Sequence, residues 1–235
     1  MKNLIDIHTH TVLSEHAYST FLENVNQASN IGLKYYGVSD HAYGLTGGIS
    51  FYSLSNLKIL PKEYNNVKIL KGVELNIMDI NGKVDFTIEQ MSSIDYAVAS
   101  IHTAAFKDEL TIENCTKAYL NVLDNPKVKV LGHIDDGNTL SNYEPVILKA
   151  KTNKILIELN NSSLLTGYRK NSRTNMLEII RLCKLHNVPV IINSDAHFLT
   201  SVGKYEDVYE LIKESNFPTQ LIANFNEDII LEYLY

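Results

Sequence analysis

Short apolar runs recur along the chain at a near-regular interval: LIDI from Leu4, YYGVS from Tyr35, VKILKGVEL from Val67, YAVASI from Tyr96, KVKVL from Lys127, KILIEL from Lys154 and PVIINS from Pro189. They are rich in Ile, Val, Leu and Tyr, and their separation of roughly thirty residues is that of a strand plus a crossover helix. Helical signals lie between them. Thr20 and Glu23 form a capping-box pattern ahead of Leu22, Val25 and Ala28, with Gly32 placed to end that helix. Met176, Ile179, Ile180 and Cys183 make an i, i+3, i+4, i+7 stripe on a later helix. Residues 201–215 and the C-terminal NEDIILEYLY also read as helices, whereas QLIANF reads as a strand or a loop, and TGGISFYSLSN as a longer loop.

Seven such runs, apolar almost throughout as parallel strands buried on both faces are, predict an α/β fold closed into a barrel, with an open doubly wound sheet as the alternative. Polar residues at the downstream strand ends favour the barrel, because a ring of strand ends converges on one mouth while an open sheet spreads them along a line. No linker, low-complexity stretch or charge block divides the 235 residues, so residues 1–235 read as one domain.

An apolar fraction of 45% and a charged fraction of 20% are ordinary for a globular chain. The formal net charge of -6 argues against nucleic acid as a partner, since such proteins usually show a basic patch or stripe. It permits a small anionic substrate, because bound cations would reverse the sign locally. Cys115 and Cys183 are far apart and lack C-x-x-C spacing, which excludes a disulfide framework. Neither a secretory signal nor an apolar run of about 18 residues is present, so the expectation is a cytoplasmic protein with no membrane contact.

The polar positions carry the chemistry. His8, His10 and His16 follow the first run, His41 the second, Glu74 ends the third, and His102 and His133 follow the next two. Asp195 and His197 follow the last. His8 and His10 are two apart, which on a strand points both imidazoles to one face, and Asp6 would share that face and orient a ligand histidine. A lone H-x-H is weak; its recurrence at separate strand ends, with carboxylates, is the usual composition of a site for zinc or a related ion. Asp40 reads as a ligand, an acceptor behind one, or a cap. His186 falls outside the pattern, near the C-terminal end of the stripe helix, where a cation meets the negative end of the dipole.

The ordered set D-I-H-T-H with His16, S-D-H, G-V-E, His102, G-H and S-D-A-H resembles the PHP superfamily, named for polymerase and histidinol phosphatase domains. HTHTVLSEHAYST, KGVELNI, IELNNSS followed by Arg169 and Lys170, and NSDAH are similar to its YcdX-type phosphatases. The resemblance covers nearly the whole chain. It implies a distorted (β/α)7 barrel holding three divalent metal ions, zinc first, with manganese or iron as alternatives. It also implies a division of the ligands: His8, His10, Glu74 and Asp195 at one metal, Glu74 bridging to a second held by His102 and His133, and His16, His41 and His197 at the third. GHIDDGN after His133 and the TGGISFYSLSN loop depart from the family pattern and leave substrate identity open.

Closely spaced metals acidify a bound water, hold phosphoryl oxygens and offset charge on the leaving oxygen. The expected function is therefore a metal-dependent phosphatase in which a metal-bound hydroxide attacks a small phosphate monoester at a trinuclear site. Arg169 is the candidate for an added phosphate contact, because its fork can bond two oxygens at once. Asn160, Asn161, Ser162 and Ser163 are weaker candidates, being common in turns after a strand. The alternatives are a PHP-type phosphodiesterase or nuclease, a metal-dependent amidohydrolase, and a noncatalytic metal-binding module. The sequence leaves oligomeric state open.

Overall fold

The computed structural model describes residues 3–165 and 167–235. Seven parallel strands form one curved sheet in the order β1 (Ile5–Asp6), β2 (Tyr35–Val38), β4 (Val67–Asn76), β5 (Tyr96–Ser100), β6 (Val128–Leu131), β7 (Leu156–Asn160) and β8 (Val190–Asn193). All seven apolar runs are strands. The sequence reading did not include β3 (Glu63–Tyr64), which pairs antiparallel with the start of β4. Its hairpin turns on Asn65 and Asn66, both at positive φ, the conformation a two-residue primed turn requires.

The barrel is distorted because it closes through a seam rather than a ladder. Between β1 and β8 the backbone meets at one bridge, Thr9 with Ala196, where His10 N donates to Ala196 O at 2.8 Å. Side chains close the rest: Ser194 N and Gly203 N donate to the Asp6 carboxylate, and Ile7 N donates to Asn193 Oδ1.

Helices cover the outside. They are α1 (Phe21–Asn30), α2 (Phe51–Asn56), α3 (Ile112–Val122), α4 (Tyr143–Thr152), α5 (Ser162–Leu165), α6 (Ser172–His186), α7 (Glu206–Glu214) and α8 (Glu227–Leu234). The Thr20–Glu23 capping box is present at α1, and Gly32 follows its C-terminal cap at φ +77°. Val25 and Ala28 are buried as expected, but Leu22 faces solvent. The α6 stripe of Met176, Ile179, Ile180 and Cys183 is wholly buried.

Three local expectations change. The helix expected over 201–215 starts only at Glu206, because Gly203 takes a left-handed φ of +75° after a 3-10 turn at Leu199–Ser201. TGGISFYSLSN is partly helical, with Ser50 capping α2. QLIANF forms two 3-10 turns, and Ile222 makes a single bridge to Val190.

The barrel interior is layered. Its base is apolar: Ile5, Tyr35, Leu70, Tyr96, Val130, Leu156 and Ile191 pack on Ile229, Ile230, Tyr233 and Leu234 of α8. Above lies a layer made for Tyr96, whose hydroxyl donates to Ile7 O at 2.6 Å. A Cβ on Gly72 would stand 2.3 Å from the Tyr96 ring, and one on Gly37 2.3 Å from its hydroxyl. Gly72→Ala is therefore expected to overpack the barrel by about 2 kcal/mol, lowering Tm by roughly 4–8 °C in a thermal melt. An unchanged Tm would show that the ring can move aside at no cost.

Candidate functional site

Above the Tyr96 layer the inward positions turn polar, and the strand ends deliver every candidate ligand to one place. Along β4 the inward residues rise from Leu70 past Gly72 to Glu74. Glu74 is the centre of the cluster. Its Oε2 lies 3.3 Å from His8 Nε2, 3.6 Å from His10 Nε2 and 2.7 Å from His41 Nδ1; its Oε1 lies 3.3 Å from His102 Nε2 and 3.0 Å from His133 Nε2. Asp195 Oδ1 is 3.0 Å from His10 Nε2 and 3.6 Å from both His8 Nε2 and His197 Nδ1. His16 Nε2 and His197 Nε2 are 2.9 Å apart. His186 stands elsewhere, beside Glu144 at 2.8 Å.

Hydrogen bonds on the far side of the rings fix what the near side can do. His8 Nδ1 donates to Glu158 Oε1 at 2.7 Å, His102 Nδ1 to Asn76 Oδ1 at 2.7 Å and His197 Nδ1 to the carbonyl of Asp195 at 3.0 Å. These partners accept only; the Asn76 amide nitrogen is itself donating to Asp85. In the neutral ring each Nε2 is then a lone pair, and those of His8 and His102 point at the carboxylate oxygens of Glu74. Lone pairs facing carboxylates repel unless a proton or a metal cation stands between them. His8 Nε2, His41 Nδ1 and Glu74 Oε2 are also buried without a hydrogen-bond partner among the described residues, which is costly in a protein interior. The donor set thus fits divalent cations. His10, His41 and His197; His8, His10 and Glu74; and His41, Glu74 and His102 each have ligand atoms within 4.8 Å of one another and can hold an ion.

Charges shift as that crowding dictates. Burial works to lower the His8 pKa, but Glu158, Glu74 and Asp195 outweigh it and raise it well above the ordinary value. His10 goes the other way, lowered by burial and by His41 and His197. Burial takes His102 down to about 4. Glu74 stays ionised well below the usual carboxylate range because His8, His41 and His102 overcome its burial.

Two residues of the cluster sit in left-handed backbone, His133 at φ +29° and Asp195 at φ +53°. Such conformations cost on the order of 1 kcal/mol or more for a side chain like histidine and collect at functional sites. His133 is held there by its backbone N–H, which donates to Glu158 Oε2 at 2.7 Å.

The support behind the cluster differs from the sequence reading. Asp6 does not orient a histidine. Counting by twos back from His8 crosses the end of β1, so Asp6 turns out to the seam and Ile7 faces the interior. The carboxylate that meets His8 is Glu158, fully buried, which also accepts from Asn160 and Asn193. Its signal in the sequence is a charge inside the apolar run KILIEL. Asn76 at the end of β4 was likewise not singled out. Asp40 orders the loop after β1, accepting from Thr11 N at 2.7 Å and from the hydroxyls of Thr11 and Ser14.

Arg169 reaches the centre. It donates to Asp195 Oδ2 at 3.0 Å, Ser163 Oγ at 3.0 Å and Asn160 Oδ1 at 3.2 Å, and it lines a cavity of about 640 Å³ together with His16, His41, His102, His133, Asp195 and His197. Asn161 and Ser162 line the same cavity.

Fold and site together define a parallel barrel protein with a histidine and carboxylate centre at its strand ends. The family model described as the PHP domain matches residues 6–162, and the chain belongs to that family. A protein of Clostridium botulinum strain Okra named "Probable phosphatase" is 41% identical over 234 residues, covering 100% of this chain and 95% of its own length. A protein of the same name from Acetivibrio thermocellus is 37% identical, covering 100% and 96%. Among solved structures, histidinol phosphate phosphatase from Lactococcus lactis, complexed with zinc, L-histidinol and phosphate, superposes with a TM-score of 0.58 at 16% identity, covering 92% of this chain and 95% of that one. A chain of an archaeal ribonuclease P solved with mature tRNA gives 0.59 at 15% identity, covering 98% and 89%. At those identities the likeness is one of fold. No helix among the described residues is long and apolar enough to cross a membrane.

Proposed function

We propose that the centre holds three divalent ions, zinc first, and that the protein hydrolyses a small phosphate monoester, as a YcdX-type member of its family acting as one domain over residues 1–235. That it is a phosphatase rests on relatives of that name at 37–41% identity along the whole chain. The single observation that carries the finer reading is that the Nε2 atoms of His8 and His102, lone pairs in the neutral rings, both face the Glu74 carboxylate at 3.3 Å. His8, His10, Glu74 and Asp195 would hold one ion, Glu74 with His102 and His133 a second, and His16, His41 and His197 the third. The 2.9 Å between His16 and His197 and the 5.0 Å between the His16 and His41 rings support the last grouping. The two buried, unpaired thiols of Cys115 and Cys183 suit a reducing cytoplasm.

When bound, such ions supply an acidified water and charge for the phosphoryl and leaving oxygens. The chain's own part is positioning. Glu158 and Asn76 fix the tautomers of His8 and His102, and Asn160 and Ser163 steady Arg169, whose guanidinium contacts the phosphate. The test is elemental analysis and turnover of a generic aryl phosphate on the same sample. Turnover should vanish on chelation and return with zinc or manganese. Full activity in verified metal-free protein sinks the reading.

Arg169→Ala, assayed with metal in saturating excess because Arg169 also supports Asp195, is expected to raise KM roughly ten- to a hundredfold, the equivalent of about 1.5–3 kcal/mol for a charged hydrogen bond. Unchanged kinetics would remove the phosphate contact from the mechanism.

A further inference from the structure

We propose that the substrate is the phosphate monoester of an alcohol bearing a flat apolar ring without positive charge; this rests on the phosphatase reading above. The cavity above the centre, about 640 Å³, falls in the range of roughly 300–1,000 Å³ that encloses a whole small ligand. Its floor is the histidine and carboxylate cluster, but its outer wall is apolar. Tyr18 is 74% exposed, Tyr168 72%, Leu165 61% and Phe198 47%, and all four line this cavity.

They stand on two flanks. Tyr18 follows β1 and Phe198 follows β8, and the two loops are tied by Tyr18 N donating to His197 O at 2.8 Å. Leu165 and Tyr168 both follow β7. Large apolar side chains left in water around a reaction centre are the usual lining of a ligand site, with a few polar groups to fix orientation. A flat ring stacks on tyrosine and phenylalanine and buries apolar surface that a ring-free alcohol lacks.

The charge on the wall sets the sign. Lys204 lines the cavity, and its ammonium has no ion-pair partner among the described residues. The carboxylate on the lining nearest β6, Asp136, already accepts from the backbone and side-chain nitrogens of Asn138. Asp136 is buried at 4% exposure whereas Lys204 stands exposed on the wall, so a cationic ring would meet the ammonium first.

Two readouts test this on the metal-loaded protein. The first is calorimetric binding of the non-hydrolysable 2-phenylethylphosphonate against ethylphosphonate. The second is kcat/KM for 2-phenylethyl phosphate against ethyl phosphate, a pair in which two carbons insulate the leaving oxygen from the ring. Both should favour the ring by about tenfold or more, the yield of burying one face of a phenyl group. Phe198→Ala and Tyr168→Ala should each lower that ratio. A para-aminomethyl phosphonate should bind more weakly than its uncharged parent, and Lys204→Ala should narrow that gap. Equal binding of the two simple phosphonates, with equal turnover of both esters, overturns the ring preference alone. Discrimination between phosphonates without hydrolysis of either ester overturns the phosphatase reading and leaves the ring slot. A para-aminomethyl compound that binds as well as its parent removes the charge rule.

Discussion

Glu74→Ala is expected to lose metal and turnover together, by on the order of a hundredfold or more, while remaining folded. Five imidazoles point at this carboxylate within 3.6 Å, and among the described residues no other side chain touches as many members of the cluster. Partners one shell further out typically cost 10–100-fold in metal affinity, so the shared carboxylate should cost at least the upper end. Stability separates this from misfolding. Metal binds only the native state, so wild type at about a hundred times its dissociation constant should gain about 2.7 kcal/mol, or roughly 5–10 °C in Tm. The variant should melt near chelated wild type and show no such gain. A Glu74→Ala protein that keeps both its zinc content and its rate would remove Glu74 from the centre of the site.

Glu158→Ala should be worse for the fold than for any single ligand. The carboxylate is fully buried and accepts from His8 Nδ1, the His133 backbone, Asn160 and Asn193, so its removal strands four donors at once. Loss of one side of a buried charged network costs about 3–5 kcal/mol, enough to leave much of the protein insoluble on expression. Glu158→Gln keeps the shape and is the informative variant. It should fold, yet its amide must turn a donor toward one of the donors Glu158 accepts from and removes the charge behind His8, so metal affinity should fall roughly ten- to a hundredfold. Calorimetric metal titration reads this directly. Wild-type affinity in the folded Gln variant would show that His8 needs no orienting charge.

The apolar runs marked all seven barrel strands because a strand buried on both faces cannot be written in polar residues. The residues that gather above the strand ends were equally legible, since each charged or imidazole side chain closes or follows such a run. What failed was extrapolation past an element's end. The period of two tied Asp6 to His8, but β1 stops at Asp6 and the parity breaks at Ile7, so the acid went to the seam and the orienting role fell to Glu158, some 150 residues away in sequence. The short β3 and the late start of α7 depend on left-handed turns at Asn65, Asn66 and Gly203, which local composition only suggests.

The sequence by itself therefore determined the strands, their helices and which side chains would stand at the strand ends. These depend on burial and period, and both are local. Tertiary structure alone decided that Glu74 stands among five imidazoles, that Glu158 and Asn76 choose the tautomers, that Arg169 reaches Asp195, and that exposed aromatic residues ring the mouth. Those facts depend on barrel closure, which brings together residues whose separation along the chain carries no trace of their distance in space.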